Sequence, residues 1–461
     1  MSNNTLGKKF TTMGILKFVL PNTIMMMFLS LYTIVDGIFI SRLVGEMALS
    51  ATNMFYPMTC FQLAMGIMFS TGSSALIAIE MGRGEKQKAK ENFTFITLVS
   101  MLVGIVIAGI CIPNLQELLI MLGASSRQIP YAMEYDKTLL CFAPAMFLEV
   151  LFQMFFVTAG KPHLGLGVVL SGGIANMVLD YVFMGVLKLG VKGAALATGI
   201  GYCIPAMVGI IYFTCNRRGT LHFVKIPMIG KGKGKDGRNI CYLRQHGSFL
   251  VKACINGSSE MVSNISVAIT TFLFNIISME FWAESGVAAI TMLSYFQFVF
   301  SSIFSGFSMG MAPVISYKYG ADDREQLRKV TKVGFTFIGF CAIGTYVISR
   351  LVLPMVLTIF TEPTTGAYKI AMRGFDIYAV QFLFMGISIF ASALFTALGN
   401  GLVSAMISMA RTLIFLVGTL IILPVAMGEI GVWLAVPVAE VLGIVVAISF
   451  VIGFRKKYKY L

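Results

Sequence analysis

Charge is what this chain has least of. Asp, Glu, Lys and Arg make up 12% of its 461 residues, against about 25% in a soluble domain. With 57% hydrophobic residues and a mean hydropathy of +0.84, it offers no soluble domain. Its 8 cysteines have neither CxxC spacing nor a disulfide framework, so no cysteine-held metal is expected. No GxxxxGKS/T stretch occurs, which excludes a P-loop ATPase. The N-terminus lacks a short apolar segment ending in a small-residue cleavage site, so the first helix is expected to stay as an anchor. Acidic residues number only 21, giving a net charge of +14. That excess points to topology rather than to nucleic acid, because the bases cluster in alternate loops. The clusters are Lys8 and Lys9, Arg83 to Lys90, Arg217 to Arg244, Lys318 to Lys332, and Arg455 to Lys459. Both termini and the central loop are therefore expected in the cytoplasm of a multi-pass plasma-membrane protein.

What is abundant is the apolar run. A spanning helix needs about 20 mostly apolar residues. Such segments are predicted near Gly14–Ser41, Ala48–Ile79, Phe93–Pro113, Leu139–Ala159, Leu164–Leu187 and Gly193–Cys215. A second set follows near Gly247–Ile277, Gly286–Tyr317, Val333–Phe360, Phe375–Leu398, Leu402–Leu423 and Val432–Phe454. The halves repeat at an offset of about 238 residues, as expected of parallel repeats about an axis along the membrane normal. Glu80–Lys86 matches Lys318–Arg324, Thr158–Lys161 matches Ala397–Asn400, and Gly193–Thr198 matches Gly431–Val436. The fold class is thus an all-α polytopic membrane protein of 12 transmembrane helices in two pseudo-twofold related six-helix lobes, 1–215 and 246–461, joined by a basic cytoplasmic linker, 216–245.

Two carboxylates interrupt the first half: Asp36 within Gly14–Ser41 and Asp180 within Leu164–Leu187. An ionisable group at mid-bilayer depth costs about 2.5–3.5 kcal/mol by insertion scales and by default marks function. Tyr32 and Asp36 are four apart and share a helix face, as do Asn176 and Asp180. Thr198 lies in the sixth span. If these converge, one aspartate can take up a proton near neutral pH, or the oxygens can hold a group-I cation; the proton is favoured, and the alternative stays open. The second half carries Asn275 and Thr419 at the aligned positions, so the acidic pair does not repeat. Its own charges are Lys252, Glu260, Asp376, Arg411 and Glu440, for which mutual neutralisation, for instance of Arg411 by Glu440, competes with an ion site. Glu149, in the fourth span, has no clear assignment. Methionine (31) and phenylalanine (38) are abundant enough to line a promiscuous cavity. Pro21, inside the first span, frees a backbone carbonyl and is a candidate hinge.

These residues resemble the multidrug and toxic compound extrusion (MATE) family, most of all its bacterial multidrug exporters. The resemblance rests on the six-plus-six repeat, Thr33–Ile40, Asn176–Asp180 and Gly193–Thr198, and covers nearly the whole chain. It implies a V-shaped pair of lobes exchanging cationic or amphipathic drugs for inward-moving protons or sodium, without enzymatic activity or a bound cofactor. It further implies a coupling-cation site of Asp36, Asn176, Asp180 and Thr198, with Tyr32 nearby, and Pro21 as the bending proline of the first helix. Some family members use a carboxyl-lobe site instead; Glu260 and Asp376 are similar in placement. The expected partners are small-molecule drugs and membrane lipids, with the chain as a monomer. A lipid-linked oligosaccharide or lipid flippase is second choice, since its cavity needs more bases than Lys17, Lys252 and Arg411. A major facilitator transporter is disfavoured because Met81–Lys88 lacks that family's loop pattern. An intramembrane aspartyl protease is disfavoured because Val35-Asp36 and Leu179-Asp180 stand where its Tyr-Asp and Gly-x-Gly-Asp motifs belong.

Overall fold

The computed structural model describes residues 5–44, 48, 51–52, 54–226, 231–233 and 239–460. Part of the expected linker 216–245, residues 227–230 and 234–238, lies outside the described residues, as does part of the predicted start of the second span. Without water to satisfy backbone polar groups, a spanning chain must bond internally, and helices do so within each segment. The helices are α1 (Thr12–Leu43), α2 (Tyr56–Gly82), α3 (Lys86–Cys111), α4 (Leu115–Met121), α5 (Ile129–Cys141), α6 (Ala143–Thr158), α7 (Pro162–Asp180) and α8 (Gly190–Cys215). Two short strands, β1 (Lys231–Lys233) and β2 (Asn239–Cys241), pair antiparallel. Then follow α9 (Tyr242–Gly320), α10 (Arg324–Phe360), α11 (Gly366–Tyr378), α12 (Met385–Ala397), α13 (Gly401–Met409), α14 (Leu416–Met427) and α15 (Glu429–Tyr458).

Among the described residues, 10 helices are long and apolar enough to span, and α5 with α6, bent by 54°, makes an eleventh. Pro144, in the first turn of α6, suits this restart because a helix start leaves its N–H unused in any case. The twelfth span comes from α9, which is divided at Ala283, where φ is 51°. The predicted spans thus recur, mostly with longer ends. The fourth differs most: Glu134, Asp136 and Lys137 gave α5 the look of a loop, yet Ala132, Tyr135, Asp136 and Leu140 are buried within it.

Contacts group the chain into two compact units. The first gathers Met1–Lys9, Phe28–Gly257 and Ser316–Asp322; the second gathers Phe10–Met27, Ser258–Ile315 and Asp323–Leu461. In the first, Phe93 of α3 packs on Phe155 of α6, Phe213 of α8 and Phe223, with ring centroids 4.7–5.2 Å apart. The internal repeat is a repeat of backbone geometry. Gly160 and Gly399 close α6 and α12 with φ of 76° and 74°, the left-handed residue that favours glycine at a helix end. The next amides, of Lys161 and Asn400, donate to Phe156 O and Phe395 O, both at 2.8 Å. A reciprocal contact marks the pseudo-twofold relation: a Cβ on Gly82 falls 2.2 Å from Tyr317 O, and one on Gly320 falls 2.2 Å from Ile79 O.

The second unit buries one ion pair. Between α13 and α14 the chain makes a π-helical turn, Ala410–Phe415, a form common at functional sites. From it Arg411 Nη1 donates to Glu440 Oε1 of α15 at 2.8 Å, with the two side chains 14% and 8% exposed. Removing one partner of such a pair strands the other charge, at a cost of about 3–5 kcal/mol, whereas removing both is often neutral. Arg411→Met alone is therefore expected to lower the melting temperature in detergent sharply, and Arg411→Met with Glu440→Leu to recover most of the loss. Additive losses in the two single variants and the double would overturn this.

Candidate functional site

Three helices of the first unit bring the predicted amino-terminal residues together. On α1, Tyr32 and Asp36 stand one turn apart, and Tyr32 stacks on Phe28 at 6.4 Å between ring centroids. On α7, Asn176 and Asp180 stand one turn apart, and Asp180 is the last residue before a second π-helical turn, Tyr181–Val186. α8 carries Thr198. Glycines let α7 and α8 cross closely: a Cβ on Gly172 falls 2.8 Å from Gly201 O, and one on Gly201 falls 3.1 Å from Asn176 Cβ. That approach puts Asn176 Nδ2 3.4 Å from Thr198 Oγ1, to which it donates.

Asp36 of α1 and Asp180 of α7 are close electrostatic neighbours. Asp180 is 0% exposed, Asn176 1% and Thr198 6%. No donor among the described residues reaches Asp36 Oδ1, either oxygen of Asp180, or Asn176 Oδ1. Buried carboxylates in proteins are ordinarily paired or hydrogen-bonded. Here four oxygens on α1 and α7 lack a hydrogen-bond donor among the described residues, a set that suits a proton or a hard monovalent cation. No three His, Cys, Asp or Glu side chains among the described residues gather to hold a metal ion.

Three further groups lie close by: Tyr202 and Tyr135 beside Asp36, and Glu149 beside Tyr32 and Tyr202. Tyr32 has Tyr202, Glu149, Asp36 and Tyr135 as neighbours; Tyr135 in turn has Asp36, Tyr202, Asp136 and Asp180. Tyr202 follows Thr198 by one helical turn, so the spacing that linked Tyr32 with Asp36 was a signal for it as well. Tyr135 had none, because α5 was read as a loop. Glu149, left open by the sequence, faces the same group from α6.

The second candidate pair is not assembled. Asp376 of α11 is exposed and ion-paired with Arg350 of α10. Glu260, partly buried on α9, has Arg411 as its charged neighbour rather than Lys252, which is exposed. No hydrogen bond or ion pair joins Glu260 to Asp376 among the described residues. At the aligned position of Asp180, Thr419 donates to Ala435 O at 2.8 Å, as interhelical glue. Pro21 lies inside α1, and the adjacent Asn22 Nδ2 donates to Gly306 O at 2.6 Å.

Comparison with known proteins bears on the fold and the family. The chain is 23% identical over 461 residues to the multidrug export protein MepA of Staphylococcus haemolyticus, covering 97% of this chain and 96% of that one. It is 24% identical over 383 residues to MepA of Staphylococcus aureus strain N315, covering 81% and 80%. Among solved structures, an outward-facing multidrug resistance MATE family transporter of the MOP superfamily superposes with a TM-score of 0.89 at 20% identity, covering 100% of this chain and 99% of that one. A MOP superfamily transporter from Pyrococcus furiosus, described as having a binding pocket of reversed polarity, gives 0.86 at 22% identity, covering 99% and 98%. These likenesses below 25% identity show the twelve-helix fold. The MatE family profile matches residues 21–182 and 261–421, one block in each half of the repeat, and on that match the chain belongs to the MATE family, whose members are transporters and not enzymes.

Proposed function

We propose that this transporter is a multidrug exporter that trades cationic or amphipathic compounds for an inward-moving cation held by Asp36 and Asp180. The observation that carries the proposal is that these two acids are close neighbours and that the buried Asp36 Oδ1 and both oxygens of Asp180 receive no hydrogen bond among the described residues. Two ionised carboxylates repel, and their contact becomes attractive once one proton or cation lies between them. Asn176 and Thr198 supply neutral oxygens to the same place, with Tyr32 alongside. The MepA relatives are multidrug export proteins, which supports the cargo class. On this reading the chain is a plasma-membrane monomer of two six-helix lobes, 1–215 and 246–461, joined by linker 216–245, with both termini cytoplasmic. Asp180, at the end of α7 away from the Gly160 turn, then lies toward the outer face.

A cation shifts a two-state carrier only through its different affinity for the two states. Bridging Asp36 of α1 to Asp180 of α7 draws one face of α1 toward α7, and Pro21 gives α1 a place to bend because Lys17 O receives no amide from it. Loss of either carboxyl removes the bridge. In proteoliposomes, Asp36→Asn and Asp180→Asn are each expected to lower gradient-driven ethidium efflux by about 5- to 150-fold, the usual span of a coupling free energy. Undiminished efflux in both variants refutes the assignment.

One shared proton relieves the repulsion of two neighbouring carboxylates without further ligands, so the proton is the expected coupling ion. Efflux is expected under an imposed pH gradient with no sodium present, and not under a sodium gradient at equal pH; the reverse pattern makes sodium the ion. Pro21→Ala is expected to slow efflux while leaving proton release on ethidium binding intact. An unchanged rate removes the hinge role. A lipid-linked flippase is disfavoured for want of free bases, since Arg411 is bonded to Glu440.

A further inference from the structure

Between α2, α5, α6 and α8 of the first unit lies a pocket lined by Phe55, Thr59, Gln62, Asp136, Met146 and Tyr202, among others. Asp136 is 2% exposed, and its Oδ2 has no hydrogen-bond donor among the described residues. Gln62 is 4% exposed. Thr59 donates to Phe55 O at 3.4 Å, which leaves its oxygen lone pairs free to accept. No lining residue other than Asp136 bears a formal charge. The groups facing it are Thr59 and Gln62 from α2, Ala143 and Met146 from α6, and Tyr202 from α8, with Tyr135 beside it on α5. The exposed Glu134 and Lys137 of α5 are not among the lining residues. A carboxylate aimed into a small pocket with neutral oxygens and no base beside it is set up to receive a cation and little else.

The pocket adjoins the Asp36–Asp180 pair. Tyr202 lines it and is an electrostatic neighbour of Asp36; Tyr135, next to Asp136 in sequence, is a neighbour of Asp36 and Asp180. We propose that Asp136, with Gln62, Thr59 and Tyr202, forms a separate monovalent-cation site that loads the Asp36–Asp180 pair, the phenols of Tyr202 and Tyr135 lying between the two sites. This role rests on the function proposed above, because a loading site presupposes the pair it serves. A proton or sodium ion fits the same oxygens, and the two are separated by titrating each alone.

The test reads the outer cation dependence of ethidium efflux in proteoliposomes, with pH and sodium varied separately. Asp136→Asn is expected to raise the half-saturating outer concentration of the coupling cation by about tenfold or more, in line with losses seen when a supporting ligand is removed. The rate is recovered as that cation is raised, and Asp136→Glu restores the wild-type dependence. Asp36→Asn instead gives no recovery at any concentration. A lower maximal rate with unshifted half-saturation in Asp136→Asn shows a structural role and overturns the proposal. Gln62→Leu, which removes a ligand without changing charge, is expected to shift the dependence the same way and serves if Asp136→Asn fails to fold. Direct titration of the purified Asp36→Asn/Asp180→Asn double variant with protons, then with sodium, reads the second site alone. Binding there that Asp136→Asn abolishes supports the site even where the coupling role of the pair fails. No binding, together with an unshifted efflux dependence, overturns it.

Discussion

Two neighbouring carboxylates repel unless something positive lies between them, and the first unit holds Asp36 and Asp180 as such neighbours. Asp36 and Asp180 come from helices far apart in sequence, and each sits where its helix leaves little choice of direction. Asp36 shares a face with Tyr32, and Asp180 is the last α-helical residue before a π turn. The Gly172/Gly201 crossing of α7 and α8 then fixes Asn176 and Thr198 beside them. A protein interior stabilises bare carboxylates poorly. On the function proposed above, a cation entering between them would stabilise this arrangement.

The second unit solves the same problem in the opposite way. Its buried Glu440 is bonded to Arg411, which is also the charged neighbour of Glu260. Asp376, another of its acids, is exposed and paired with Arg350. Where the repeat puts a counterpart to Asp180, Thr419 spends its hydroxyl on Ala435 O. The two halves share a backbone repeat, down to the glycine turns at Gly160 and Gly399, but not a charge arrangement. One half carries a neutralising base beside its buried acid; no ion pair reaches Asp36 or Asp180 among the described residues. That asymmetry favours the first unit as the place of ion coupling, because an acid that already owns a fixed cation gains little from a transported one.

Much of this was legible in the sequence, for a physical reason. Apolar runs of spanning length have few alternatives in a bilayer, so the twelve spans and their repeat could be read before any coordinates. Asp36 and Asp180 stood out for the same reason, as charges where charge is costly. What escaped was whatever did not contrast with its surroundings. Tyr135 and Asp136 lie in α5, whose Glu134, Asp136 and Lys137 resemble those of a loop. Only tertiary packing shows that Asp136 faces inward while its two charged neighbours face out. Tyr202 was hidden differently: a tyrosine in an apolar helix reads as filler until a carboxylate is placed next to it. The identity of Glu260's basic neighbour depends on helix packing as well: Arg411, far away in sequence, holds that place, while Lys252, near in sequence, is exposed.

An acid pair that needs a cation also has a delivery problem. In the proposed orientation the pair lies toward the outer face, yet Asp180 is fully enclosed. A cation crossing an apolar shell without stopping sheds its hydration with nothing to replace it, the cost that makes buried ions rare. A staged route divides that cost among successive oxygen sets. Asp136 with Gln62 and Thr59 offers such a stage, and Tyr202 borders both stages, since its hydroxyl can donate to one carboxylate and accept from a proton moving toward another. The charges within this stretch are then the pair, Asp136 and Glu149, all acidic. Such a column favours entry of cations and excludes anions at every step, which is the selectivity an exchanger of this kind requires of its inward path.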